Sequence, residues 1–494
     1  MTVSTRGSMI HTRSGDTRRS KYASPPAVLP SKPAGHAKGA ATRSRKRAIE
    51  LDAEVVKEFG GAWGATFIMV VSHVIVYFLY ASNAYYDGGL PAPGPGESAA
   101  AWARALVRRL ARDCAPNTTA ACIFFGFMGW MFVSATSLMP GVKSSGLPVP
   151  SEGFRVLTYN CNSLSTWWVT LAALAIAHYY DVFSLATVAD QLGPLTTIAV
   201  LFGDALSLAV YLGAFGAKAT HRMSHNPAYD YFMGAWLNPR ILGVDLKMMF
   251  EIRVAWIGLF LLTLSAAVKQ AEVHGNISGP MAILLCAHFL YTNACVKGEE
   301  CVTTTWDVFY EKWGWMLIFW NAAGVPLVYS YQPYYILTKL GKQEHSHAYT
   351  AVLTAVLLVT YYVWDTCNSQ KNRFKAQLRG TYAPREWAFP QLPWGTLQDP
   401  MVIVATGNAS SQLLVSGWYA YARKVHYTCD IVMALVWGLA CGFGDVLPYF
   451  YSVFFTTMIL HRLARDDARL QKKYGHAFEE YKRRVPYVFV PYVI

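Results

Sequence analysis

Apolar runs of about twenty residues recur along this chain, separated by short stretches of polar, basic and aromatic side chains. Each run is long enough to cross roughly 30 Å of hydrocarbon at about 1.5 Å per residue. The pattern predicts helices at 62–81, 119–139, 163–183, 196–215, 254–268, 280–296, 315–335, 349–364, 428–441 and 446–460. The expected fold is therefore all-α, a polytopic membrane bundle of about ten transmembrane helices. The last two runs are joined by the very short turn Gly442-Phe443-Gly444-Asp445, which suits a helical hairpin as well as two full crossings.

Composition agrees with the pattern. Of the 494 residues 53% are hydrophobic and 15% charged, where soluble domains carry about a quarter charged residues. The net charge of +13 is local rather than general: residues 1–47 hold eleven Lys and Arg against Asp16 alone. That segment is rich in Ser, Pro and Gly and has little to bury, so residues 1–58 are expected to be a disordered basic tail and 59–494 the membrane domain. The tail charge points to a cytosolic, anionic membrane face, not to nucleic acid. No apolar signal segment lies near Met1. The nine cysteines form no CxxC pair or Cys/His cluster, which excludes a metal site as a working hypothesis.

About ten crossings put both termini on one side, and positive charge assigns that side to the cytosol. The basic segments 218–253 and 371–424 then share that face. Arg104, Arg108, Arg109 and Arg112 lie on the opposite side. Their spacing with Leu106, Val107 and Leu110 predicts an amphipathic helix lying in the interface. Sequons at Asn117, Asn276 and Asn408 are chance-level patterns.

Ionisable residues in or beside membrane segments mark function more often than not. Lys297, Glu299, Glu300, Asp307, Glu311 and Lys312 crowd one interhelical stretch, with Asp307 and Glu311 four apart on one helical face. That stretch is either an ion-paired cap on the bundle or the lining of a polar vestibule. A second cluster ends a span with Asp365, Asn368, Lys371 and Lys375, the two lysines one turn apart. A third, Trp418, Tyr419, Arg423, His426 and Tyr427, leads into the next span. The fourth is the C-terminal collar: Arg465, Asp466, Arg469, Lys472, Lys473, Tyr474 and Tyr481. Snorkelling lysines and an aromatic belt are the plain structural readings. Three basic clusters interleaved with aromatics on one face also suit a dinucleotide, whose phosphates take Arg and Lys and whose rings stack on flat side chains. No GxGxxG follows a strand, so such a site would be built from helix ends.

The stretches LLVSGWYAYARKVHY, LACGFGDVLPYFY, LHRLARDDARLQKKYGHAFEEYKRRVPY and NSQKNRFK resemble signatures of the sterol reductase family. That family includes the C14, C7 and C24(28) reductases and the reductase domain of the lamin B receptor. The resemblance is dense over residues 231–494, looser before, and absent from the tail. FMGAWLNPRILGVDLKMMFEIR, the stretch around Lys297–Pro326 and the ending PYVFVPYVI resemble its fungal Δ24(28) branch. The resemblance implies an NADPH-dependent enzyme of the endoplasmic reticulum membrane, with about ten spans and a cofactor pocket in 340–494. It takes a sterol from the bilayer, and other sterol-pathway enzymes are conceivable partners. Carried over by motif, the cofactor positions are Lys371, Lys375, Leu414, Tyr419, His426 and Tyr427. Asp466, Leu470, Gln471, Lys472, Lys473, Tyr474 and Tyr481 complete them. Lys375, Tyr419 and His426 depart from the residues usual in related branches, where Arg, Trp and Asn stand.

Reducing an isolated alkene needs a proton as well as a hydride, placed to leave charge on the more substituted carbon. Asp307, Glu311 and Tyr427 are the candidates for catalytic work, with Glu300, Asp430 and Tyr310 behind them. The expectation is reduction of a sterol C24(28) methylene in the last step of ergosterol-type synthesis. Reduction of a C7 or C14 ring double bond is the alternative, as is a non-catalytic sterol-binding scaffold. Internal repeats expected of a transporter are absent from the sequence.

Overall fold

A computed structural model describes residues 45–46, 48–50, 52–339, 345–384, 388–405 and 412–492. Six of its helices are long and apolar enough to cross a membrane: α1 (Gly61–Tyr85), α3 (Thr118–Ala135), α5 (Leu192–Gly216), α6 (Leu246–His274), α7 (Gly279–Lys297) and α10 (His347–Leu378). The amphipathic α2 (Ala99–Asp113) lies between α1 and α3 and buries no residue. The arginine pattern had predicted that element. The helix starts carry the caps their sequences offer. Ser98, Asn117, Ser278 and Ser346 each accept a hydrogen bond from the amide three residues on, and Pro280 occupies the first turn of α7.

The other predicted spans take different forms. The run at 163–183 gives α4 (Ser163–Tyr179), 17 residues long. The run at 315–335 is broken into α8 (Trp315–Phe319), a wide π-helical stretch (Trp320–Val328) and α9 (Tyr331–Thr338). Pro326 inside that stretch removes a backbone donor, and a widened turn accommodates the loss. A second π-helical turn (Met249–Val254) interrupts α6 near its start. The predicted span at 428–441 is α11 (Val425–Ala440), a shorter apolar helix. The last one forms the first half of α12 (Phe450–Tyr474), whose second half is basic, and α13 (His476–Arg484) follows.

Three antiparallel hairpins decorate the bundle: β1 (Val142–Ser145) with β2 (Thr158–Cys161), β3 (Arg240–Ile241) with β4 (Val244–Asp245), and β5 (Val402–Val404) with β6 (Gln412–Leu414). In the last, Val402 faces Leu414. α10 packs along α11, and α11 along α12, so the three C-terminal helices stand side by side.

The interior holds ion pairs as well as apolar side chains. Arg253 is 1% exposed. It donates to Glu299 at 3.0 Å, to Thr166 at 2.8 Å and to Asn162, while Glu299 also accepts from the Ser163 amide at 2.8 Å. Lys297 pairs with Asp365 at 2.8 Å. The ion-paired cap is thus the right description for Lys297 and Glu299. Removing one partner of such a pair costs about 3–5 kcal/mol, because the other charge stays buried. Most of the expected tail, and the sequon at Asn408, lie outside the described residues.

Candidate active site

Lys371 and Lys375 leave α10 one turn apart, on the face turned to α11 and the loop before it. The Lys371 ammonium lies 5.8 Å from the centre of the Tyr419 ring. Tyr419 sits in a single 3-10 turn (Gly417–Ala420) directly ahead of α11. Gly417 has φ 62° and approaches Gln370 so closely that a β-carbon would lie 2.3 Å from its side-chain oxygen, so that turn needs glycine. Gln370 in turn accepts from the Trp418 amide at 3.0 Å, fixing the turn to α10. His426 and Tyr427 occupy the first turn of α11, their rings 4.4 Å apart, with His426 6.2 Å from Tyr419.

From α12, Asp466 reaches across to this group. It accepts from Tyr427 Oη at 3.2 Å, Lys424 Nζ at 2.7 Å and Arg469 at 3.0 Å. Burial raises its carboxyl, but Lys424, Arg469 and Arg462 together outweigh that and the net shift is downward. Leu470 and Tyr474 pack on a small core of Ile403, Leu413, Val415, Phe478 and Tyr481. Leu414 and Tyr419 share the neighbouring core with Cys367, Phe374 and Val425. Burial also pushes the Tyr481 phenol up.

The structure therefore brings together the positions taken from four separate elements. Two depart from the rest. Lys472 pairs with Glu54 at 3.3 Å, and Lys473 is exposed, 4.9 Å over the ring of Tyr474. Lys375 donates to the carbonyl of Gln412 at 2.5 Å. Among the described residues no carboxylate forms an ion pair with Lys371 or Lys375. His426 Nδ1 and Gln471 Oε1 are buried without a hydrogen-bond partner. Uncompensated ammonium groups beside unsatisfied polar atoms and aromatic faces fit a nicotinamide dinucleotide in charge and in donor set.

Asp307 and Glu311, on the short loop 306–312, meet α12 two turns above this group. Asp307 accepts from Arg462 at 2.9 Å. Glu311 accepts from Arg465 at 3.1 Å and from the Trp306 indole at 2.7 Å. Arg469 lies 4.5 Å over the Trp306 ring. The fully buried Lys247 clamps the loop from below, donating to the carbonyls of Val308 at 2.7 Å and Glu311 at 2.6 Å. Lys312 donates to the Arg222 carbonyl at 2.8 Å, and burial brings its ammonium down to about 8. Arg222 itself stacks 3.6 Å over Tyr310.

Sequence reasoning listed Arg465 and Arg469 only as collar charges and missed Arg462, Trp306, Lys247 and Glu251. A usable signal was present: acids at 307 and 311 match arginines at 462, 465 and 469, both sets at helical spacing. Asp430 stands one turn below His426 on α11, and its Oδ1 has no hydrogen-bond partner. Glu251, within the π-helical turn of α6, likewise leaves Oε2 unpartnered. Aromatic rings surround this level of the bundle. Tyr291 stacks on Trp364 at 5.0 Å and on Trp256 at 4.7 Å, while Tyr451 meets Tyr329 at 4.4 Å and Trp437 at 4.6 Å.

A multi-helix membrane protein whose cationic and aromatic side chains converge beside an aromatic interior is built to bring a polar, anionic group to an apolar one. Residues 53–494 match the sequence profile of the ergosterol biosynthesis ERG4/ERG24 family, and the chain belongs to that family. It is similar to the Delta(24(24(1)))-sterol reductase erg4A of Aspergillus fumigatus, 44% identical over 462 residues that cover 91% of this chain and 96% of that protein. It is 43% identical to the Delta(24(24(1)))-sterol reductase of Gibberella zeae, over 90% of this chain and 74% of that one. To the Delta(14)-sterol reductase of Dictyostelium discoideum the identity is 32%, over 88% and 92%.

Proposed function

We propose that this chain is an NADPH-dependent reductase of the C24(28) methylene double bond of a sterol side chain, acting in ergosterol synthesis. The observation that carries the reading is the gap between 44% and 43% identity to two Delta(24(24(1)))-sterol reductases and 32% to a Delta(14)-sterol reductase, over similar shares of the chain. The location read from charge and resemblance is the endoplasmic reticulum membrane, with about ten crossings and both termini cytosolic.

Lys371, Lys375 and Gln471 would hold the phosphates and polar edges of the cofactor, with Tyr419, His426 and Tyr427 against its rings. When bound, the nicotinamide supplies hydride. The chain must supply a proton to the terminal CH2 and surroundings that tolerate positive charge on C24. Asp307 and Glu311 each give an oxygen to an arginine, which suits holding a loop better than donating a proton. Asp430 is the better acid. Its Oδ1 is free of protein partners, it lies one turn below the cofactor set, and the aromatic faces around Tyr291 and Tyr451 would stabilise a transient cation. The same rings exclude the water that would otherwise trap that charge.

The test is an assay of membranes carrying the protein with NADPH and sterols bearing a Δ24(28), a Δ7 or a Δ14 double bond, with products read by mass spectrometry. Saturation of the 24(28)-methylene alone is expected. Ring reduction would move the substrate assignment to another branch of the family, and no turnover of any sterol by verified protein would leave a scaffold.

A further inference from the structure

Residues 52–59 cross the bundle ahead of α1 as a strap mostly without regular secondary structure. Asp52 accepts from the amide of Ser151 at 3.0 Å and lies 3.6 Å from Arg222. Tyr229 Oη accepts from the Glu58 amide at 2.8 Å and donates to the Val56 carbonyl at 3.4 Å. The strap then turns into α1 through Phe59, Gly60 and Gly61, at φ 54°, 73° and 67°. Gly64 seals that corner: a β-carbon there would lie 1.8 Å from the Phe59 carbonyl oxygen. Phe59 itself packs edge-on to Phe232 at 5.6 Å and beside His461 of α12 at 5.7 Å.

The anchored end delivers Glu58 to the collar. Glu58 Oε2 pairs with Arg465 Nη2 at 2.6 Å, and that same nitrogen donates to Glu311 at 3.1 Å. One guanidinium thus ties the strap and the 306–312 loop to α12. From there the contacts continue through Trp306 and Arg469 to Asp466. Burial pushes the Glu58 carboxyl up against the pull of Arg465, and Glu311 adds to the rise. A carboxylate kept at such a place marks a specific pairing, unlike the exposed pair of Glu54 with Lys472, which is worth little.

We propose that Glu58 is a positioning residue for the cofactor: through Arg465 it sets the orientation of α12, and with it the direction in which Asp466 and Gln471 face the dinucleotide. This rests on the cofactor reading given above. It makes the segment ahead of the first membrane helix part of the active enzyme, though no residue of that segment touches a reacting atom.

The experiment uses full-length protein purified in detergent, with NADPH binding measured directly alongside KM for NADPH, KM for the sterol, kcat and thermal stability. Glu58→Gln should raise Kd and KM for NADPH roughly five- to tenfold while leaving the sterol KM unchanged. Glu58→Asp should fall between Gln and wild type, and it carries the comparison if the Gln variant does not fold. Glu54→Gln should behave as wild type. Unchanged NADPH binding in Glu58→Gln would overturn the inference. So would equal weakening toward both substrates together with a lowered melting temperature, which is the mark of a merely structural role. Wild-type protein that fails to bind NADPH would bring down the cofactor reading and the inference with it, an outcome distinct from the first two.

Discussion

Asp307 and Glu311 each engage an arginine, whereas Asp430 forms no ion pair among the described residues and leaves Oδ1 unpartnered. Asp430→Asn is therefore expected to lower kcat by about 10²–10⁴, the usual worth of a positioned acid, with NADPH binding retained. Asp307→Asn should cost far less in kcat. A full loss there with Asp430→Asn active would reverse the assignment. Lys371→Ala and Asp466→Ala should instead weaken NADPH binding at least about tenfold, measured by direct titration, since each removes or releases a charge facing the proposed phosphates. His221 offers a pH signature. Burial, then the neighbouring Arg222, lowers its pKa to about 4 from the ordinary 6.5. The unfolded chain binds that proton more readily than the folded one, so stability should fall as pH drops from about 6.5 toward 4. His221→Gln should flatten that part of a melting-temperature profile, and an unchanged slope would remove His221 as its source. The acid at 430 was among those nominated from the sequence but was not preferred. A sequence shows that a carboxyl sits beside a span, but not which of several arginines claims it.

At the scale of elements, apolar patterning and capping residues made the six long helices legible, together with the interfacial α2. The interruptions were not legible, because a π-helical turn keeps the composition of the helix it interrupts. The run at 315–335 reads as one helix until Pro326 and the crowding of Gly324 against Trp320 are seen in place. Nor does a sequence reveal where backbones cross. Gly234, with φ 92°, meets Gly314 so closely that a β-carbon on Gly314 would lie 2.0 Å from the Gly234 nitrogen. Gly314→Ala should destabilise by about 1–3 kcal/mol or more, read as a lower melting temperature or loss of folded protein. Near-normal stability would mean that the crossing relaxes easily.

Over the whole molecule, the three C-terminal helices gather the cofactor candidates while the loop 306–312 and the strap hold them from outside. Family resemblance made that set legible residue by residue. The outer supports were not, since Glu58 and Arg465 lie more than four hundred positions apart in sequence and share no motif. If the termini are cytosolic, protease added to sealed microsomes should remove tags from both ends, and protection of either would overturn the proposed topology.

The two π-helical turns carry a further consequence for how the gene can vary. Each is in effect one surplus residue held within a helix, and Met249–Val254 is where Glu251 faces inward. Deleting a single codon there would restore ordinary winding and rotate the rest of α6 by about 100° against its neighbours. Side chains now in the core, Arg253 among them, would swing toward lipid, so this stretch should tolerate substitution far better than any change in length.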